Sequence, residues 1–154
     1  MMAFKTLLLA HHGTSGAALA EQLAYQIAAP GALIVHLLVV PDFWAGMQGD
    51  DWLNNASTRD DFADHVEQLL EADAAEQVSA LALRCAEHGL SYRNIVRFGD
   101  PAECLNQAAL EAGAELVLIG PPRSKGAPGF RSRMDLDKLA RGLTIPFLVA
   151  SLPR

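Results

Sequence analysis

Five short strand-like runs, most of them strongly apolar, take turns with stretches rich in helix formers, and no other feature narrows the possible folds as much. The runs are KTLLLA (residues 5–10), LIVHLLVV (33–40), SYRNIVRF (91–98), AELVLIG (114–120) and IPFLVA (145–150). LIVHLLVV is apolar at nearly every position, so it suits a strand covered on both faces. After the first run, ALAEQLAYQIA repeats Leu19, Leu23 and Ile27 at four-residue steps, and Pro30-Gly31 is expected to close that helix. From Asp60 to His88, the residues Phe62, Val66, Leu69, Leu70, Val78, Leu81 and Cys85 fall mostly on one helical stripe, which Gly89 ends. Asp100-Pro101 reads as an N-cap and first helical position, with that helix running to Gly113. Residues 133–141 read as the last helix. Residues 41–60 hold Phe43, Trp44 and Trp52 among Gly, Asp and Asn, and read as an irregular excursion.

This alternation predicts a single α/β domain, a parallel sheet with helices on both faces. A chain of 154 residues is long enough to bury a core of its own. In open sheets of this kind, ligands bind beyond the carboxyl ends of the strands, where strand order reverses. The turn His11 to Ser15, the end of the second strand at Val40, and the loop from Ile119-Gly120 onward share that rim.

Formal net charge is −6, from twelve Lys and Arg against eighteen Asp and Glu, which argues against general nucleic-acid binding. Cys85 and Cys104 lack the spacing of a zinc or thioredoxin site and read as small apolar residues on helices. The apolar run near the N-terminus is broken by His11-His12. It is too short for a signal sequence or a membrane span, so a cytoplasmic location and no membrane partner are expected.

Against this acidic background, GPPRSKGAPGFRSRM (120–134) collects Arg123, Lys125, Arg131 and Arg133 on one loop rich in Pro and Gly. Arginine makes charge-assisted, often bidentate bonds to phosphate, so the loop is a candidate anion site. A solvated connection is the plainer reading. His11 and His12 are adjacent, and neighbours on a strand point to opposite faces, so no metal chelate is expected from them. His12 suits base stacking, hydrogen bonding or proton acceptance, or simply caps the strand end.

The layout and local sequence resemble the universal stress protein family over almost the whole chain. TLLLAHHGTSGAALAEQLAYQIA resembles that family's opening strand, turn and helix, and HLLVVP its second strand. FGDPAECLNQAALEAGAELVLIG resembles its Gly-x-Pro helix and the strand ending in Gly, and KLARGLTIPFLVA its last helix and strand. The resemblance implies a three-layer sandwich of the flavodoxin-like, adenine nucleotide alpha hydrolase-like kind, with strand order 3-2-1-4-5. It also implies a homodimer through the last strand, and Ile145 to Leu152 carry no charge, as a covered edge requires.

Nucleotide-binding members typically have Asp at the end of strand one and Gly-x2-Gly-x9-Gly-Ser/Thr after strand four. Here the Asp position falls on His12. Of the loop positions, Gly120 matches, the second glycine falls on Arg123, the third on Arg133 and the hydroxyl on Met134. A standard ATP cradle is therefore not expected. The pocket expected instead is formed by His11, His12, Val40, Ile119 and Gly120. Arg123, Lys125, Gly126, Arg131, Ser132 and Arg133 complete it, with side chains replacing lost backbone amides. ATP, ADP, AMP or another phosphorylated anion is the ligand class. Two other readings stay open: a homodimeric protein-interaction module without nucleotide, and a His-dependent enzyme. The latter draws on HHGTSG, which is also similar to the His-Gly turn of cobalt and iron chelatases; the rest of the chain does not follow them. No Ser-His-Asp arrangement is legible, and catalysis is not the leading expectation.

Overall fold

A computed structural model describes residues 3–11, 15–40, 72, 74–121 and 135–151. The strands are β1 (Phe4–Ala10), β2 (Ala28–Val40), β3 (Ser91–Phe98), β4 (Leu116–Ile119) and β5 (Phe147–Val149). The helices are α1 (Ser15–Ile27), α2 (residues 74–87), α3 (Pro101–Ala112) and α4 (Leu136–Gly142). All pairings are parallel and the order is β3-β2-β1-β4-β5, as expected.

Two cores explain why the strands are so continuously apolar. Leu8, Val35, Leu37, Val117 and Ile119 pack under α3 and α4 with Ala102, Leu105 and Leu139. Leu7, Leu9, Ile34, Leu116 and Leu118 pack under α1 and α2 with Ala20, Ala24, Leu81 and Cys85. Neighbours along β1 thus point to opposite faces, and both faces are dry. Cys85 and Cys104 are buried free thiols, as expected of small apolar residues on helices.

Local signals placed α3 closely. Asp100 accepts from the Glu103 N–H at 3.0 Å, Pro101 opens the helix, and Gly113 closes it in the left-handed region at φ 63°. Lys138 on α4 reaches back to Asp100 at 3.2 Å and Glu103 at 3.1 Å, so the helix after the basic loop is tied to the start of α3.

Several details differ from expectation. Pro30-Gly31 does not close α1 but lies inside β2. The register jumps there from Phe4↔Ala28 to Thr6↔Leu33, an irregularity that Gly31 accommodates at φ 72° and that suits a residue lacking an N–H. The buried stripe of α1 is Ala17, Ala20, Glu21 and Ala24, whereas Leu19, Leu23 and Ile27 are only partly buried on its flanks. Small residues let the helix lie close to the sheet. Helix α4 starts at Leu136 rather than residue 133, because Asp135 caps it by accepting from the Lys138 N–H at 3.1 Å. Strands β4 and β5 are shorter than the apolar runs that contain them. The first part of the long helical pattern, with Phe62, Val66, Leu69 and Leu70, and the excursion with Trp44 and Trp52, lie outside the described residues.

Candidate functional site

The chain runs β1, β2, β3 to one side and then crosses to β4 on the other, so strand order reverses between β1 and β4. In open parallel sheets such a reversal, at the carboxyl ends of the strands, is where a ligand crevice is expected. Leu9 pairs with Leu118, which places His11 and Gly120 level with one another, two residues beyond. Val40 ends β2 on the same rim.

Gly120 meets the first residues of helix α1. A Cβ on it would lie 2.5 Å from the backbone carbon and oxygen of Gly16 and 2.7 Å from the Ala17 nitrogen. Only glycine allows this approach. Pro121 continues the contact, its Cδ 3.1 Å from where a Cβ on Gly16 would sit. The chain leading into the basic loop is therefore seated on the N-terminal end of α1. Ile119 does not join this contact: it is 3% exposed and packed in the core beneath α3 and α4. His12, Arg123, Lys125, Gly126, Arg131, Ser132 and Arg133 lie outside the described residues, as does the Val40 side chain.

His11 is 3% exposed and faces α1 and α2, as Leu7 and Leu9 do. Its Nε2 donates to Glu21 Oε1 at 2.8 Å. Glu21, itself 2% exposed, also accepts from Tyr25 Oη at 2.7 Å, Arg84 Nε at 2.6 Å and Arg84 Nη2 at 2.8 Å. Burial alone would raise the Glu21 carboxyl, but the bonds from His11, Arg84 and Tyr25 outweigh it and hold it down to about 2. The carboxylate is thus ionised and fully engaged. Burial and the neighbouring carboxylate push the Tyr25 phenol well above its ordinary range. The Tyr25 ring stacks on His88 with centroids 3.8 Å apart.

A second buried histidine lies one strand over. His36, 1% exposed, places Nε2 2.7 Å from the His11 carbonyl and Nδ1 2.7 Å from Tyr92 Oη. A carbonyl only accepts, so Nε2 carries the proton and Nδ1 accepts from the tyrosine. Burial pushes this imidazole down to about 4, so it is neutral at neutral pH.

Sequence reasoning did not find Glu21, Tyr25, His36, Arg84 or Tyr92. Faint signals existed: His36 interrupts an otherwise apolar strand, and Glu21 shares a helical stripe with Ala17 and Ala24. A separate shallow cavity of about 220 Å³, bordered by Asn106, Leu110 and Ile145, lies at the opposite rim, before β4 and β5 begin. It has no geometric relation to the β1/β4 crevice. Among the described residues there is no cluster of three or more His, Cys, Asp and Glu fit for a metal ion, and no helix is long and apolar enough to cross a membrane.

The sequence model of the Universal stress protein family matches residues 3–151. The chain belongs to this family. Among solved structures, it resembles the hypothetical protein MJ0577 with a TM-score of 0.78 and 13% identity, covering 99% of each chain. The universal stress protein UspA of Lactobacillus plantarum aligns with a TM-score of 0.68 and 16% identity, over 98% of this chain and 100% of that one. A universal stress protein family protein of Arabidopsis thaliana, solved with AMP bound, aligns with a TM-score of 0.59 and 13% identity, over 94% and 90%. At such identities the likeness speaks to the fold. No curated protein sequence matches the chain.

Proposed function

We propose that this universal stress protein is a binding module that takes a nucleotide or another phosphorylated anion in the crevice between β1 and β4. The observation that carries this reading is the seat of Gly120 on Gly16 and Ala17. It puts the start of the basic loop at a helix N-terminus, where N–H groups and the helix dipole favour negative charge. In this reading His12 and Val40 contribute to the rim, while the His11 ring stays behind it, buried against Glu21, and Ile119 is a core residue next to Gly120. Arg123, Lys125, Arg131 and Arg133 supply charge to the phosphates in place of missing glycines, with Gly126 and Ser132 offering backbone and hydroxyl donors. AMP in the Arabidopsis relative lends the ligand class further support. A role in stress signalling in the cytoplasm follows from the family rather than from any single contact.

Thermal shift and calorimetric titration with ATP, ADP and AMP test this. A ligand at a hundredfold excess over its dissociation constant should stabilise the fold by about 2.7 kcal/mol. Charge reversal of both Arg131 and Arg133 should abolish the shift. No shift at millimolar ligand in the wild type would remove the nucleotide reading.

A second reading, a homodimeric interaction module, is favoured by β5. This strand is an edge of the sheet, with Leu148 40% exposed and Phe147 and Val149 half-buried. An uncharged apolar edge is normally paired or covered. Pairing of β5 with its copy in a second chain would cover it. Sedimentation should find a dimer, and Leu148→Lys should shift it to monomer. A wild-type monomer at micromolar concentration would refute this.

A further inference from the structure

Two helices end beside one another at the rim opposite the β1/β4 crevice. Helix α3 closes at Gly113 and α4 runs to Gly142, and the cavity of about 220 Å³ lies between these ends and the chain that enters β5. Its walls are apolar, with Ala109, Leu110 and Ala114 on one side and Leu143 and Ile145 on the other. The polar side chains that border it are Asn106 and Thr144; among the described residues, no charged side chain does.

Asn106 sets this hollow apart from an ordinary surface cleft. Its Oδ1 is, among the described residues, the one buried side-chain oxygen or nitrogen without a hydrogen-bond partner. A buried acceptor left bare costs stability that an apolar group of the same shape would not, and native structures hold few of them. Packing imposes the pose. A Cβ on Gly142 would fall 2.8 Å from the Asn106 Cγ and closer still to Nδ2, so only a residue without a side chain lets the amide lie against the end of α4. Leu110, at the mouth, is 72% exposed although Ala108 and Ala109 beside it are buried. An exposed leucine alone means little. Next to an apolar hollow with an unpaired acceptor, it completes a wall that an apolar body would cover. The plainest account is a hollow filled by solvent, with a water on Asn106. An ordered water needs two to four polar partners, and of the side chains here only Thr144 joins Asn106 in offering one.

We propose that the hollow between α3 and α4 is a binding site of its own, for a small neutral molecule that carries an N–H or O–H donor on a short apolar body, with the Asn106 amide as its anchor. Neutrality follows from the uncharged walls, since burying an unpaired charge costs far more than burying a paired polar group. Small size follows from the volume, which is below the roughly 300–1,000 Å³ of sites for drug-sized ligands. The donor goes to Oδ1. That oxygen is turned into the wall, and the ligand draws it round by rotation about the terminal side-chain torsion, which is soft. Nothing in this site depends on the nucleotide reading.

Titration of the full-length protein with isobutyramide, followed by amide NMR, tests it. Methyl isobutyrate is the control, with the same apolar body and no donor. Isobutyramide should give saturable shifts at the Asn106 side-chain amide and at the backbone amides of Gly113, Gly142 and Thr144, with a dissociation constant on the order of 1 mM. Methyl isobutyrate should bind about tenfold more weakly, the effect of one net hydrogen bond. Asn106→Leu nearly keeps the volume and removes the acceptor. It should weaken isobutyramide about tenfold and leave methyl isobutyrate unchanged.

No saturable shift at these positions with tens of millimolar isobutyramide overturns the proposal and leaves a solvent-filled cleft. Equal binding of the two probes, or isobutyramide binding that Asn106→Leu does not weaken, overturns it as well, because the hollow would then hold apolar matter without an anchor. Should Asn106→Leu fail to fold, the comparison of the two probes on the wild type decides by itself.

Discussion

Replacing Glu21 by alanine is expected to lower the unfolding free energy by about 3–5 kcal/mol, the usual result of breaking a buried ion pair from one side. Glu21 is 2% exposed and accepts from His11, Tyr25 and twice from Arg84. Without it, those donors face a cavity. The Arg84 side chain is 38% exposed and can turn to water, so most of the loss falls on His11 and Tyr25. That places the expected value nearer the lower end of the range. Urea denaturation of the variant and wild type measures it; a change below about 1 kcal/mol, the size of one ordinary hydrogen bond, would contradict the arrangement.

The same groups set the response to acid. The folded Glu21 carboxyl lies at about 2 against an ordinary 4.5. Its contribution is fully present above 4.5 and is lost as pH falls toward 2, because the unfolded chain takes up the proton first. His36 lies at about 4 against an ordinary 6.5. Here too the unfolded chain is protonated first, so stability falls as pH drops from 6.5 toward 4. Each window is worth about 3 kcal/mol. The urea midpoint of the wild type should therefore decline in two successive stages on acidification. Glu21→Ala should lose the lower stage and keep the upper.

Substituting Gly120 is the second large effect. Its φ is not in the left-handed region, so backbone freedom is not the issue. The obstacle is space: an added Cβ would press on the Gly16 carbonyl and the Ala17 nitrogen at 2.5–2.7 Å. These are backbone atoms and cannot rotate aside. Gly120→Ala is expected to cost about 1–3 kcal/mol, as overpacking does, and Gly120→Val more. Either should detach the basic loop from α1 and remove nucleotide stabilisation if the proposed site is correct. Gly142→Ala is the natural comparison, because its Cβ would meet the Asn106 side-chain amide, which can swing away. A Gly120→Ala protein as stable as Gly142→Ala would show that the close approach to α1 does not exist.

Much of the architecture could be read from residues near one another in the chain. Asp100, Pro101 and Gly113 lie within or beside the helix they delimit, and their preferences are local. Leu7, Leu8 and Leu9 announce a strand buried on both faces, whatever its partners. Pro30-Gly31 misled because the same pair that stops a helix also serves a strand irregularity, and only pairing with Phe4 and Thr6 distinguishes the two. Leu19, Leu23 and Ile27 misled because helical spacing does not say which of two apolar faces meets the sheet; close contact selected the alanines.

The chemistry of the site divides in the same way. The excess of cations between Gly120 and Met134, the departure from the family's glycine pattern and the alternation that builds a parallel sheet were all properties of the amino-acid order. The bonds joining Glu21 to Arg84, and His36 to Tyr92, span 63 and 56 residues, and the seat of Gly120 on Gly16 joins residues from opposite sides of the β1–β4 reversal. Such contacts exist only once the sheet has assembled, because their energy depends on burial and distance, and neither is a property of a residue by itself.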